Sequence, residues 1–188
     1  MPLNIPSFTT NNISFGTARV FIGAVNTTPT TSDDIGAISE DGVTIEINNE
    51  KRYVTQGNPK VTALVFSQAT DVSISFRSLE WNFDNFVRAL SAGQTDSGGG
   101  GTISQFYFGA DPTPIFCTMH IQHTMGVSGH TIDAYVWKAC SDSSLTLPFI
   151  HDEHGFDMAF KAIRVTSAWD ASTLTSQQQL LYITRTTA

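Results

Sequence analysis

Five histidines are the residues in this 188-residue chain whose types and spacing come closest to a reaction centre. His120 and His123 sit three apart in MHIQH, His130 follows, and His151 and His154 bracket two acids in HDEH. Imidazoles and carboxylates that converge on one point would hold a divalent ion. The segment around His120 reads as a strand, however, and strand positions i and i+3 face opposite ways. His120 and His123 therefore cannot share an ion unless the strand bends. HDEH follows Pro148 in a segment that reads as a loop, where acids and histidines serve solubility. A metal-binding barrel of the cupin kind, or an enzyme, using His120, His123, His151 and His154 stands as the alternative reading. The preferred reading assigns no metal, no cofactor and no catalytic residue.

Nucleophilic catalysis has weaker support. The chain has no G-x-S-x-G elbow, and no cysteine lies in an electropositive context that would activate it. Asp33-Asp34 and Asp152-Glu153 are neighbours in loop-like segments and read as solvated charge. The glycine run Gly98 to Gly101 is not followed by Lys-Ser/Thr, which a phosphate-cradling loop requires. Trp81, Trp137 and Trp169 could stack on a base or a sugar. In a chain this poor in cations they read instead as core or interface anchors.

Composition points the same way. Only 14% of residues are charged, against about 25% in typical domains. Interface cores are depleted in charge, so a surface this neutral suits either self-assembly or a Thr/Ser-rich β-protein. The net charge of -7 argues against a protein that grips nucleic acid by its phosphates. Cys117 and Cys140 lie in strand-like apolar runs with no zinc spacing. They read as buried thiols, with a disulfide between neighbouring strands as the alternative. No run approaches the roughly 18 apolar residues of a membrane span. MPLNIPSFTTNNISFG lacks the basic and apolar regions of a signal peptide and reads as an extended arm.

The elements that must position these residues are strands, with one helix. ARVFIGA (18–24) is a first strand. Ile35 to Ser39 is a short strand ended by the turn signal Asp41-Gly42. Val43, Ile45 and Ile47 alternate with Thr44, Glu46 and Asn48 in a half-buried strand. Glu50, Lys51 and Arg52 interrupt the apolar pattern, and Gly57-Asn58-Pro59 turns the chain. Lys60 to Ser67 is nearly continuous apolar, as in a strand covered on both faces. Val72, Ile74 and Phe76 alternate with polar residues. A helix over 82–92 follows, with Phe83, Phe86, Val87 and Leu90 on one stripe, Asn82 as cap, Asp84 in the first turn and Gly93 closing it. Residues 93–102 form a glycine-rich loop. Further strands are expected at Ile103 to Phe108, Ile115 to His123, Thr131 to Ala139, Phe156 to Val165 and Leu180 to Arg185. A change of phase near Ala162 suggests a bulge.

The order of these pieces resembles the tail tube proteins (major tail proteins) of long-tailed bacteriophages. The resemblance is carried by SEDGVTIEINNE, the charged excursion KRYVTQG, and VTALVFSQATDVSISFRSLEWNFDNFVRALSAG. In the second half it is carried by TIDAYVWKACSDSSLTLPF, FDMAFKAIRVTSAWD and LLYITR. It spans roughly Phe15 to Arg185, through diffuse patterning around one helix and no signature residue.

The resemblance implies a mainly β fold, a β-sandwich or partly closed β-barrel flanked by one helix. It implies a structural virion protein, not an enzyme, assembled in the host cytoplasm. Hexameric rings would stack into a hollow tail tube through which viral DNA passes without specific binding. Tape measure, tail terminator and distal tail or baseplate proteins would be its partners. Another virion or injection-system ring protein is the neighbouring alternative.

Residues 1–14 would be an arm ordered on assembly, and 15–188 a single domain. Val43 to Gly57 would reach a neighbouring subunit or ring, with Glu46, Glu50, Lys51, Arg52 and Tyr53 as candidate contacts. The helix would buttress a subunit boundary.

Overall fold

The computed structural model describes residues 18–98, 103–109, 113–125, 129–149 and 154–186. The arm 1–14, glycines 99–101 and the His151-Asp152-Glu153 part of HDEH lie outside the described residues.

Period-two patterning builds a seven-stranded antiparallel sheet. Its strands are β1 (Ala18–Ala24), β2 (Ile38–Gln56), β3 (Val61–Ser78), β6 (Cys117–Thr124), β7 (Thr131–Ser141), β8 (Phe156–Ala162) and β9 (Tyr182–Thr186). A separate two-stranded ribbon is made of β4 (Gln94–Gly98) and β5 (Ile103–Tyr107). The large sheet runs β1-β6-β7-β8-β3-β2. On the side away from β6, the first half of β7 pairs with β9 and its second half with β8. The two outermost strands, β1 and β2, also touch, so the sheet curls toward a partly closed barrel. The fold is mainly β with one flanking helix, as expected.

Apolar residues from every central strand meet on one face. Val20 and Ile22 of β1 lie opposite Ile121 and Met119 of β6, which lie opposite Ala134 and Val136 of β7. Ile74 and Phe76 of β3 lie opposite Phe160 and Met158 of β8. All ten are buried.

Over this core lies α1 (Phe83–Leu90), which buries Phe86 and Ala89. Phe86 meets Phe156 edge-on, with centroids 5.2 Å apart. Burying a Phe is worth roughly 2–3 kcal/mol, so this face holds down a helix too short to persist alone. Asn82 caps it, its side chain accepting from the Asp84 N–H at 3.0 Å. Buried Asn85 donates to the Ile35 carbonyl at 2.9 Å and ties the helix to the β1–β2 connection.

Several local expectations need correction. Asp41-Gly42 does not reverse the chain. Gly42 takes φ +71 within a continuous β2, at a register shift between Ile38 and Val43. Ile35 is a buried core residue before the strand begins, its N–H donating to the Val20 carbonyl. The helix is closed by Ser91, in the left-handed region at φ 49, and not by Gly93. Ser91 is held there because its hydroxyl accepts from the Ser141 N–H at 2.7 Å. Gly93 serves a close approach, since a Cβ there would meet the Phe106 ring and the Tyr107 carbonyl at 2.9 Å. Gln94 to Gly98, read as loop, is strand β4, paired residue for residue with β5.

No bulge occurs at Ala162. β8 ends there, and the Ile163 N–H donates to the Lys138 carbonyl. The register shift falls instead in β7, between the partners of Cys117 and Met119. Both cysteines are free.

Candidate assembly surface and an aromatic groove

The β2–β3 hairpin is anchored at its base and bare beyond it. β8 flanks β3 only as far as Ser73, opposite Lys161. From there to the Gln56↔Val61 pair the ribbon has two strands. A two-stranded ribbon is marginal in water without something packed on it. Directly opposite residues share a face, and successive pairs alternate. Tyr53↔Val65 therefore lies on one face, and Arg52↔Phe66 and Val54↔Leu64 on the other.

Both faces are apolar and both are open. Leu64 is 64% exposed, Tyr53 60%, Val65 51% and Phe66 47%. The stretch Lys60 to Ser67, expected to be covered on both faces, is thus uncovered in the single chain. Its composition is that of a buried strand, but among the described residues nothing buries it. Ile47, opposite buried Val72 of β3, is exposed as well.

The charged positions singled out in the sequence decorate this ribbon. Glu46, Glu50, Lys51 and Arg52 are exposed opposite Ser73, Ala69, Ser67 and Phe66. They interrupt the apolar pattern without interrupting the strand, apart from a register shift between Glu50 and Lys51. Among the described residues none of the four joins an ion pair.

The described histidines form no metal cluster. Among the described residues no group of three or more His, Cys, Asp or Glu side chains could hold a metal ion. His120 belongs instead to an aromatic row on the sheet face away from the core. Phe21, His120, Tyr135 and Tyr182 are successive cross-strand partners on β1, β6, β7 and β9. Their rings stack, at 5.4 Å for Phe21–His120, 4.7 Å for His120–Tyr135 and 6.0 Å for Tyr135–Tyr182. Arg19 lies over the Phe21 ring at 5.1 Å and pairs with Asp34. Beside the row, buried Asp133 accepts from His120 Nε2 at 2.8 Å, Thr131 Oγ1 at 3.0 Å and Gln122 Nε2 at 3.2 Å. His154 packs on Trp81 at the other end of the fold.

The tryptophans divide. Trp81 packs against the core, as expected of an anchor. Trp137 extends the aromatic row, stacked 6.0 Å from Tyr135, and its indole N–H donates to the Gln178 carbonyl at 2.8 Å. Trp169 stands across both, at 70° to Trp137 and 75° to Tyr135. It is carried by a tight reversal in which Ser167 bridges Thr173 and the Ala171 N–H returns to the Ala168 carbonyl. Together they wall a groove of about 450 Å3, which Asp170, Ser172, Thr173, Gln178 and Tyr182 also line. The Ser172 hydroxyl and N–H hold the Asp170 carboxyl below the usual carboxylate range. Burial, with Asp133 and Tyr182 nearby, raises the Tyr135 hydroxyl.

Sequence reasoning missed the groove because its walls come from segments far apart in the chain. The one available signal was the alternation that puts Asp133, Tyr135 and Trp137 on the face opposite Ala134 and Val136.

Compared with known proteins, the chain matches no family model and no curated protein.

Proposed function

We propose that this chain is a tail tube protein of the long-tailed phage type. In this reading its copies associate into hexameric rings, and the rings stack into a hollow tube that conducts DNA. The observation that carries the proposal is the β2–β3 ribbon, apolar on both faces and covered on neither. Burying each of its large side chains is worth roughly 1.5–3 kcal/mol. The set is enough to offset much of the cost of association, about 4–15 kcal/mol. A single chain leaves that free energy unused; a neighbouring copy would recover it.

Two further features support the reading. β2 is an outer strand of the large sheet, and such an edge is a template for pairing with another chain. A head-to-tail contact that closes by rotation gives a ring, and repetition along the axis stacks rings. The net charge of -7 suits a conduit that DNA must not adhere to. Glu46, Glu50, Lys51, Arg52 and Tyr53 take the contact role, and α1 buttresses the boundary between copies. Tape measure, terminator and distal tail proteins are the partners this role requires, and the virion its location.

Electron microscopy of the concentrated, purified chain tests the proposal. Stacked rings or long tubes are expected. A protein that stays monomeric at high concentration, alone and with a preformed tail tip as initiator, would overturn it.

A further inference from the structure

We infer that the groove lined by Trp137 and Trp169 binds a neutral pyranose sugar. The inference is separate from the assembly role and does not depend on it.

The walls select the ligand class. A volume of about 450 Å3 suits a small organic ligand. Two indoles and two phenols, from Tyr135 and Tyr182, provide ring surface for a ligand with an apolar face. The remaining lining is rich in hydrogen-bonding groups: Thr28, Asp170, Ser172, Thr173 and Gln178. Among the described residues no Lys or Arg lines the groove. A phosphate, sulfate or nucleotide would therefore find no countercharge, and an acid would face Asp170. A quaternary ammonium would use the rings and the carboxylate, but it has no hydrogen-bonding group for the hydroxyls and amides. A pyranose uses all of them, since one face of its ring carries C–H groups and its rim carries hydroxyls. Asp170 is ionised at neutral pH and can accept from those hydroxyls.

Backbone geometry adds an independent observation. Ala171, beside Trp169 and Asp170, has φ +64. A non-glycine residue rarely adopts that region, because its Cβ crowds the following carbonyl oxygen. Strain of this kind persists where the surroundings over-determine a conformation, and it concentrates at ligand clamps. Here it fixes the reversal that sets Trp169 at a steep angle against Tyr135 and Trp137.

Tryptophan fluorescence and ligand-observed NMR of the full chain test the inference. The probes are methyl α-glucopyranoside, methyl β-galactopyranoside and the β1,4-linked trisaccharide of N-acetylglucosamine. Sorbitol is the open-chain control and choline the cationic one. At least one pyranoside is expected to give a saturable response in the millimolar range. Trp169→Ala should weaken it by about tenfold or more. Thr28→Arg, at an exposed position of the rim, should weaken it similarly and keeps the test valid if Trp169→Ala does not fold. Absence of a saturable response to all three pyranosides would overturn the inference. So would an equal response to sorbitol or choline, or a response that survives both substitutions. Tube formation is unaffected by any of these outcomes, so the two proposals fail separately.

Discussion

His120 on β6 stacks face to face on Tyr135, its cross-strand partner on β7, with centroids 4.7 Å apart and planes 11° apart. That contact shows what the most conspicuous histidine in the sequence does. It is held edgewise by Asp133 and facewise by rings, as one member of a row that crosses four strands.

Asp133 is the polar keystone of the row. It is 6% exposed and accepts three side-chain hydrogen bonds. Asp133→Ala leaves three donors short of an acceptor, and should cost about 2–4 kcal/mol. Asp133→Asn keeps the shape and one acceptor oxygen, and should cost less than half of that. Urea unfolding of both variants checks the order.

Ala171→Gly should stabilise the protein by roughly 1 kcal/mol, because glycine adopts φ +64 without the Cβ penalty. Ser91→Gly removes a similar penalty at φ 49 but also deletes the hydroxyl that accepts from the Ser141 N–H. It should be neutral or destabilising. A raised melting temperature for Ala171→Gly and none for Ser91→Gly is the expected outcome.

Leu64→Ser with Phe66→Ser should leave the folded chain within about 0.5 kcal/mol of its original stability, since both side chains are already in water. The same pair should abolish tubes. Unfolding curves and electron microscopy of the double variant separate the two effects.

Cys117 gives a pH dependence. Burial, with Cys140 nearby, pushes its thiol from an ordinary 9.0 up to about 12. A raised acid pKa means the folded state keeps its proton after the unfolded chain has lost it. The stability linked to this group is therefore complete below pH 9 and falls between pH 9 and about 12. The slope approaches about 1.4 kcal/mol per pH unit. The stability difference between wild type and Cys117→Ala should be constant to pH 8 and narrow by pH 10.

Much of the fold was legible because alternation and amphipathic spacing are local. β1, the Val72–Phe76 segment, the core face of β8 and the capped helix follow from residue order alone. What was misread involves comparison between segments. Asp41-Gly42 and Gly57-Asn58-Pro59 are both turn signals, yet only the second reverses the chain, because only there do the flanking strands pair with each other. The phase change at Ala162 looks like a bulge until the strand is seen to end.

The histidine spacing, the low charge and the apolar run Lys60 to Ser67 were determined by the sequence itself. Tertiary structure alone decided their meaning. It placed His120 in an aromatic row, where strand register brings Phe21, Tyr135 and Tyr182 beside it. It packed Trp169 against Trp137 beside a groove that no linear pattern encodes. It left Leu64 and Phe66 exposed, because burial is a property of what surrounds a strand and none of the other described residues covers them.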